Sequence, residues 1–249
     1  MQGKWVEVAA ALAACALAGC MGSGVQFSGS RQPALTRAES IEVGAHPPPG
    51  LERRGDVSAE CKSLDPDSDV KNARASDLGC SVGLLHAALR EGAAEAGGSF
   101  LTQPECEQKR DGDAARPSWV GCNGEVWGLA KAAAADKPQP PPFESARDAW
   151  RIRIDFWPAV KGKRAPVGDA EGVAEVDFPR VGQVKLGDLS ARCDAGCAQG
   201  SMHHGLRAAA AFLGASTLVG VRCIQQEQAL TCAASISAPE RDESLAGVP

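Results

Sequence analysis

The sequence predicts an α+β chain of two tandem β-α-β-β modules, each stapled by disulfides and joined by a Pro-rich linker and a β-hairpin. Three observations carry that expectation. The heptapeptide "GDVSAEC" at Gly55 returns as "GDLSARC" at Gly187. Behind it, Cys80, His86, Gly97 and Cys106 are matched 117 positions later by Cys197, His203, Gly214 and Cys223. In both stretches, apolar residues recur first at helical spacing and then in alternation. Self-similarity of this kind is the sequence mark of repeated structural units.

The elements follow in order. Leu85, Leu89, Gly92, Ala93 and Ala96 fall on one face of a predicted helix, and Met202, Leu206, Ala209, Ala210 and Leu213 do so in a second. Each stripe suits a surface helix packed on a sheet. Gly97 and Gly214 sit just past the stripes, where a left-handed cap favours glycine. "SFLTQPEC" and "STLVGVRC" read as strands, and "WVGCNGEVW" and "ALTCAASIS" as the strands that follow. Cys122 shares parity with Val120, Gly124 and Val126, and Cys232 with Leu230, Ala234 and Ile236, so both cysteines face the helix side. Gly55-Asp56 and Gly187-Asp188 read as turns at strand entry. Between the repeats, Trp150, Ile152, Ile154 and Phe156 alternate with charged residues. They predict a strand pairing with "GVAEVDF" (Gly172 to Phe178) across a loop holding Lys161 and Lys163.

The predicted organisation is a signal peptide at 1–19, a lipidated flexible tether at 20–48 and a first module at 49–128. A Pro-rich linker with the hairpin follows at 129–180, then a second module at 181–237 and a disordered tail at 238–249. The tether is rich in Gly, Ser and Pro, a composition that stays flexible. The chain carries 26 basic and 31 acidic residues for a net charge of -5. That balance lacks the basic patch that nucleic-acid phosphates demand.

The N-terminus, "MQGKWVEVAAALAACALAGC", has a short apolar run, too short for the roughly 20 residues a membrane span needs and suited to a secretory signal. Its end, Leu17-Ala18-Gly19-Cys20, resembles the lipobox of bacterial lipoproteins. That resemblance implies cleavage before Cys20, acylation of Cys20 and membrane attachment through the lipid. Cys15 leaves with the signal peptide.

Export into an oxidising space makes disulfides the natural use of the other cysteines. Eight cysteines allow 105 connectivities; requiring the same pairing within each repeat leaves three. Sequence neighbourhood and the predicted hairpins favour Cys61–Cys80 with Cys106–Cys122, and Cys193–Cys197 with Cys223–Cys232. A rival reading makes Cys193, Cys197, His203 and His204 a zinc cluster. The paired equivalents Cys61 and Cys80 are 19 residues apart, and exported thiols oxidise, so no metal or other cofactor is expected. With no Cys-x-x-Cys, no G-x-S-x-G and four histidines in all, nothing nominates a catalytic base or a thiol oxidoreductase. The chain is not expected to be an enzyme.

His86 and Arg90, like His203 and Arg207, are four apart and share a helix face beside the apolar stripe. The plain reading is a solvated face, and the sharper one a stripe that binds a partner or an anion. The order Cys61, Ala93-Ala94, Gly97, Cys106, then Cys122-x-Gly124 resembles the small lipoprotein that feeds the Rcs envelope-stress relay. The resemblance covers about 70 residues of the first repeat; that family has a single module, and Cys80 departs from its cysteine pattern. It implies an envelope lipoprotein, in the outer membrane, that senses damage through a protein partner. A metal-binding or thiol-redox envelope lipoprotein is the alternative.

Overall fold

A computed structural model describes residues 24–32, 37–65, 68–111, 116–129, 145–159 and 169–240. The predicted signal peptide, Cys20, most of the Pro-rich linker and the tail beyond residue 240 lie outside the described residues. Among the described residues the architecture is α+β, with two six-stranded sheets and three short α-helices.

The first sheet is built from β1 (Val25–Gly29), β2 (Glu42–Gly44), β3 (Leu51–Lys62), β5 (Phe100–Thr102), β6 (Glu105–Lys109) and β7 (Trp119–Leu129). Its order is β1-β3-β7-β5-β2, with β6 also on β7. The second comprises β4 (Ala73–Arg74), β8 (Arg153–Pro158), β9 (Ala174–Val176), β10 (Gln183–Cys193), β11 (Thr217–Gln226) and β12 (Ala229–Pro239), in the order β4-β8-β10-β12-β11-β9. Without β4, the second order matches the first strand for strand. Helix α2 (Val82–Glu95) packs on the first sheet and α3 (Gln199–Phe212) on the second, while the single turn α1 (Ala75–Leu78) packs on α3.

The central strands β3 and β10 show the period that buries one face. Val57, Ala59 and Cys61, and likewise Leu189, Ala191 and Cys193, are buried while their neighbours are more exposed. Both helices end as the sequence predicts: Gly97 and Gly214 have φ of +79° and +77°. Gly98 N–H then donates to Ala93 O and Ala215 N–H to Ala210 O, each at 2.9 Å, closing the carbonyls a helix end leaves open.

The repeated Gly-Asp is not a turn. Gly55 and Gly187 lie inside β3 and β10, at the same shift of register against β7 and β12. A Cβ on Gly55 would come within 2.1 Å of Ser28 O, and one on Gly187 within 2.3 Å of the Phe156 ring. Glycine is needed because the neighbouring strand, β1 or β8, runs too close to leave room for a side chain. Across each bulge the Asp pairs with the base three residues before it, Arg53 with Asp56 at 2.6 Å and Lys185 with Asp188 at 2.8 Å. Lys185 and the Ser235 hydroxyl hold the Asp188 carboxyl below its ordinary pKa.

Three predicted boundaries change. Residues 25–29 and 42–44, assigned to the flexible tether, are strands: β1 pairs with β3 and β2 runs parallel to β5. Glycine and proline content hid them, because Val25 and Ile41 are the apolar contacts that dock them. The two inter-repeat strands do not form a hairpin. Instead β8 pairs with β10 and β4, and β9 runs parallel to β11 at the opposite edge. "SFLTQPEC" breaks at Pro104 into β5 and β6, both on β7, whereas β11 crosses the matching place as one strand with a bulge near Gly220.

The predicted division into separate modules also gives way to a shared seam. The 15 residues by which the Cys61–Cys80 loop exceeds the Cys193–Cys197 loop accommodate β4 and α1, which dock on the second half. Gly79 faces Ala208, and Gly205 faces Ala75 and Ile152. The 3-10 turn Ala146–Trp150 sits between α2 and α3. Half-buried and buried polar groups fix it there. The Glu91 carboxylate of α2 accepts from the Ala146 N–H (2.7 Å), the Ser145 hydroxyl (2.6 Å) and the Arg147 N–H (3.3 Å). Asp148 accepts from the Ala198 N–H at 2.9 Å and so caps α3 from outside, while the Trp150 indole donates to Glu60 O in β3. One continuous apolar core runs through both halves.

Two predictions follow from the seam. A fragment of residues 181–239 lacks β4, β8 and β9, so it should show no cooperative unfolding transition even with both disulfides formed. Residues 24–240 should unfold in one transition by circular dichroism; two separated transitions would contradict the shared core. Burial outweighs the hydrogen bonds at Glu91 and raises its pKa. The folded state therefore holds that proton to higher pH than the unfolded chain, and stability falls as pH rises through the folded-state value. Urea midpoints of the wild type relative to Glu91→Gln should thus decline from about pH 4 toward neutrality, from near the ordinary carboxyl value. Glu91→Ala, which strands two backbone donors, should cost about 2–3 kcal/mol.

Candidate functional site: two helix faces against hairpin disulfides

The eight cysteines form four disulfides, and these are the pairs that sequence neighbourhood favours: Cys61–Cys80, Cys106–Cys122, Cys193–Cys197 and Cys223–Cys232. They do two different jobs. Cys61–Cys80 and Cys193–Cys197 tie the end of each central strand to the entry of its helix. In the first half Ser81 caps that helix by accepting from the Leu84 N–H. Cys106–Cys122 and Cys223–Cys232 join directly opposed residues of β6–β7 and β11–β12, with Cα atoms 4.1 and 4.0 Å apart. Cys122 and Cys232 are 3% and 0% exposed, so these bonds lie under the helices, as the strand parity requires.

His86 and His203 stand over these hairpin bonds. His86 Nε2 lies 3.2 Å from Cys106 Sγ, and His203 Nε2 lies 3.6 Å from Cys223 Sγ. One turn along each helix come Arg90 and Arg207. Each half thus presents a disulfide, a histidine and an arginine in one line. The helical spacing of four sets the His/Arg pair, and the hairpin supplies the sulfur.

The halves differ in what covers the line. In the second half, Glu175 of β9 places Oε2 2.9 Å from His203 Nδ1 and Oε1 3.7 Å from Arg207 Nε. In the first half, His86 and Arg90 border a groove of about 360 Å³ with Val43, Gly83, Ala87, Leu101 and Pro104. Glu175 and Val43 were missed at the sequence level. A signal was present: residues 38–61 align without a gap to 170–193, bringing Ile41 to Val173, Val43 to Glu175 and Gly50 to Gly182. The low similarity of the two strands obscured it.

A larger cleft of about 840 Å³ opens at the seam, bordered by Cys80, Val82, Arg116, Asp169, His204 and Ala208 among others. Burial lowers the pKa of Arg116, whose guanidinium donates to Leu78 O. Cys193, Cys197, His203 and His204 do not gather into a zinc cluster: the two cysteines are bonded to each other, and His203 turns to Glu175 and Cys223. The group among the described residues with metal-like spacing is His86, Cys106 and Cys122, whose ligand atoms lie within 4.8 Å of one another. Both of its sulfurs are spent in a disulfide, which offers no thiolate.

No family model matches the chain, and no curated protein matches it. Among solved structures, the crystal structure of the Francisella virulence factor FvfA is similar over 36% of this chain and 99% of that one. The identity is 10% and the TM-score 0.29, a likeness that bears on neither fold nor function.

The disulfide assignment has a direct check. Peptide mapping without reduction should recover all four pairs, and native protein should show no free thiol among these eight cysteines. Cys106–Cys122 and Cys223–Cys232 should resist mild reductant, since their inner sulfurs are shielded. Rapid labelling of Cys122 or Cys232 under native conditions would contradict that burial.

Proposed function

We propose that the chain is a non-enzymatic cell-envelope lipoprotein that binds or senses a protein partner, anchored through lipid on Cys20. We further propose that its two halves arose by internal duplication. The observation that carries the reading is the use of the cysteines: all eight in the folded body are paired in disulfides, the expected state of an exported chain. The lipobox residues Leu17-Ala18-Gly19-Cys20 supply the anchor. Matching strand order, matching bulges at Gly55 and Gly187 and the paired His–disulfide contacts favour duplication.

The same reading changes where the body sits. β1 starts at Val25, five positions after Cys20, so at ~3.4 Å per residue the folded body lies within about 17 Å of its lipid. A reach on the order of 100 Å, available to an unstructured segment of 30 residues, is not open to it. Its partner would be met at the membrane surface. The outer membrane remains the location that resemblance to the Rcs-relay lipoprotein suggests. No helix among the described residues is long and apolar enough to cross a membrane.

A metal-binding or thiol-redox lipoprotein is the second reading, favoured by the closeness of His86, Cys106 and Cys122. It requires the hairpin bond to be open, so zinc bound stoichiometrically by native, unreduced protein would support it over the first. The anchor has its own test. Cys20→Ser should abolish incorporation of labelled palmitate and release the protein from the membrane fraction; undiminished labelling would exclude lipidation at Cys20.

A further inference from the structure

The two histidine–arginine pairs are built alike and completed differently. Residue for residue, β2 and β9 hold the same register: Val43 stands opposite Leu101, and Glu175 opposite Leu218. In both helices the histidine Nε2 faces the hairpin sulfur. In the second half Nδ1 and the arginine meet the Glu175 carboxylate. In the first half, Val43 occupies that position with 40% of its surface exposed. None of the residues bordering the groove is acidic, and Arg90 has no ion pair among the described residues.

We infer that the first-half groove takes a carboxylate from outside the chain: a glutamate side chain of a protein partner, seated where Glu175 seats itself in the second half. The inference deepens the partner-binding reading and rests on it. The chemistry is complementary at both ends. Val43, Ala87, Leu101 and Pro104 offer apolar walls for the methylenes of a glutamate. Arg90 offers donors for its oxygens, joined by His86 Nδ1 in the state where that nitrogen carries a proton. Arginine suits a carboxylate because its planar fork donates two parallel bonds. In the second half, on the same scaffold, a carboxylate sits 2.9 Å from the histidine Nδ1 and 3.7 Å from the arginine Nε. Glu175 is then a built-in plug, and the chain carries one open platform and one closed.

The test uses the folded chain and a capped glutamate, N-acetylglutamate amide, with capped glutamine as the uncharged control. Titration followed by NMR should give saturable shifts at the His86 ring and not at His203, with capped glutamine at least tenfold weaker. Val43→Glu plants the plug in the open groove and should weaken the His86 response tenfold or more. Glu175→Gln should open a second site, seen as new saturable shifts at His203. No shift at His86 in the wild type, or a response that Val43→Glu leaves unchanged, would overturn the inference. Crosslinking in the native envelope separates it from the broader reading. A partner captured equally by wild type and Val43→Glu would leave partner binding standing and refute the carboxylate groove.

Discussion

The close approach of two small-residue helices to their sheets is the constraint on which the rest of the structure depends. Ala88 and Ala93 in α2, and Ala209 and Ala210 in α3, are fully buried. A Cβ on Gly92 would come within 2.9 Å of Val57. Small side chains let the backbones come near but remove little apolar surface from water, at roughly 25 cal/mol per Å². With no tyrosine and few other aromatics, the core cannot make up the difference by bulk. Disulfides at both ends of each helix–hairpin unit do so by restricting the unfolded chain, about 3 kcal/mol for a loop the size of Cys61–Cys80. The halves then stabilise each other across a seam of hydrogen-bonded polar groups. Glu91 and Asp148 hold the turn 146–150 between them, and strand β4, sent out from the first half, completes the second sheet.

How much of this was legible in the sequence depended on how local the causing interaction is. The helix faces, their glycine caps, the strand parity of Cys122 and Cys232 and the cysteine pairing all rest on short-range periodicity, and they were read there. The edge strands β1 and β2 were not, and β9 was read as a strand but given the wrong partner. Each is only three to five residues long, and it becomes a strand because a neighbouring strand offers it an edge. The seam was invisible for a related reason. Glu91 reads as an ordinary surface residue until residues 145–147 close over it, and Asp148 caps a helix 50 positions away. Of the candidate site, the His/Arg spacing was visible, while the residue that decides its state, Val43 or Glu175, sits on edge strands whose place in the sheets was not.

The contrast between the halves gives the fold a functional logic. A repeated scaffold can keep one copy of a surface satisfied internally and leave the other for a partner. The second half sets Glu175 against its His/Arg pair, and the first leaves Arg90 beside an apolar groove. On the proposed reading of Cys20 as the lipid anchor, that groove would be presented near the membrane rather than at the end of a long arm.

The central claim is that the halves form one cooperative body through the seam, and native-state hydrogen exchange tests it most directly. In a Cys61→Ala/Cys80→Ala variant, the protected amides of β12 in the far half should lose as much opening free energy as those of β7 in the near half. Such equal loss is the mark of a single unfolding unit. If β12 retains its wild-type protection while β7 loses its own, the two halves are independent domains and the account of the seam fails.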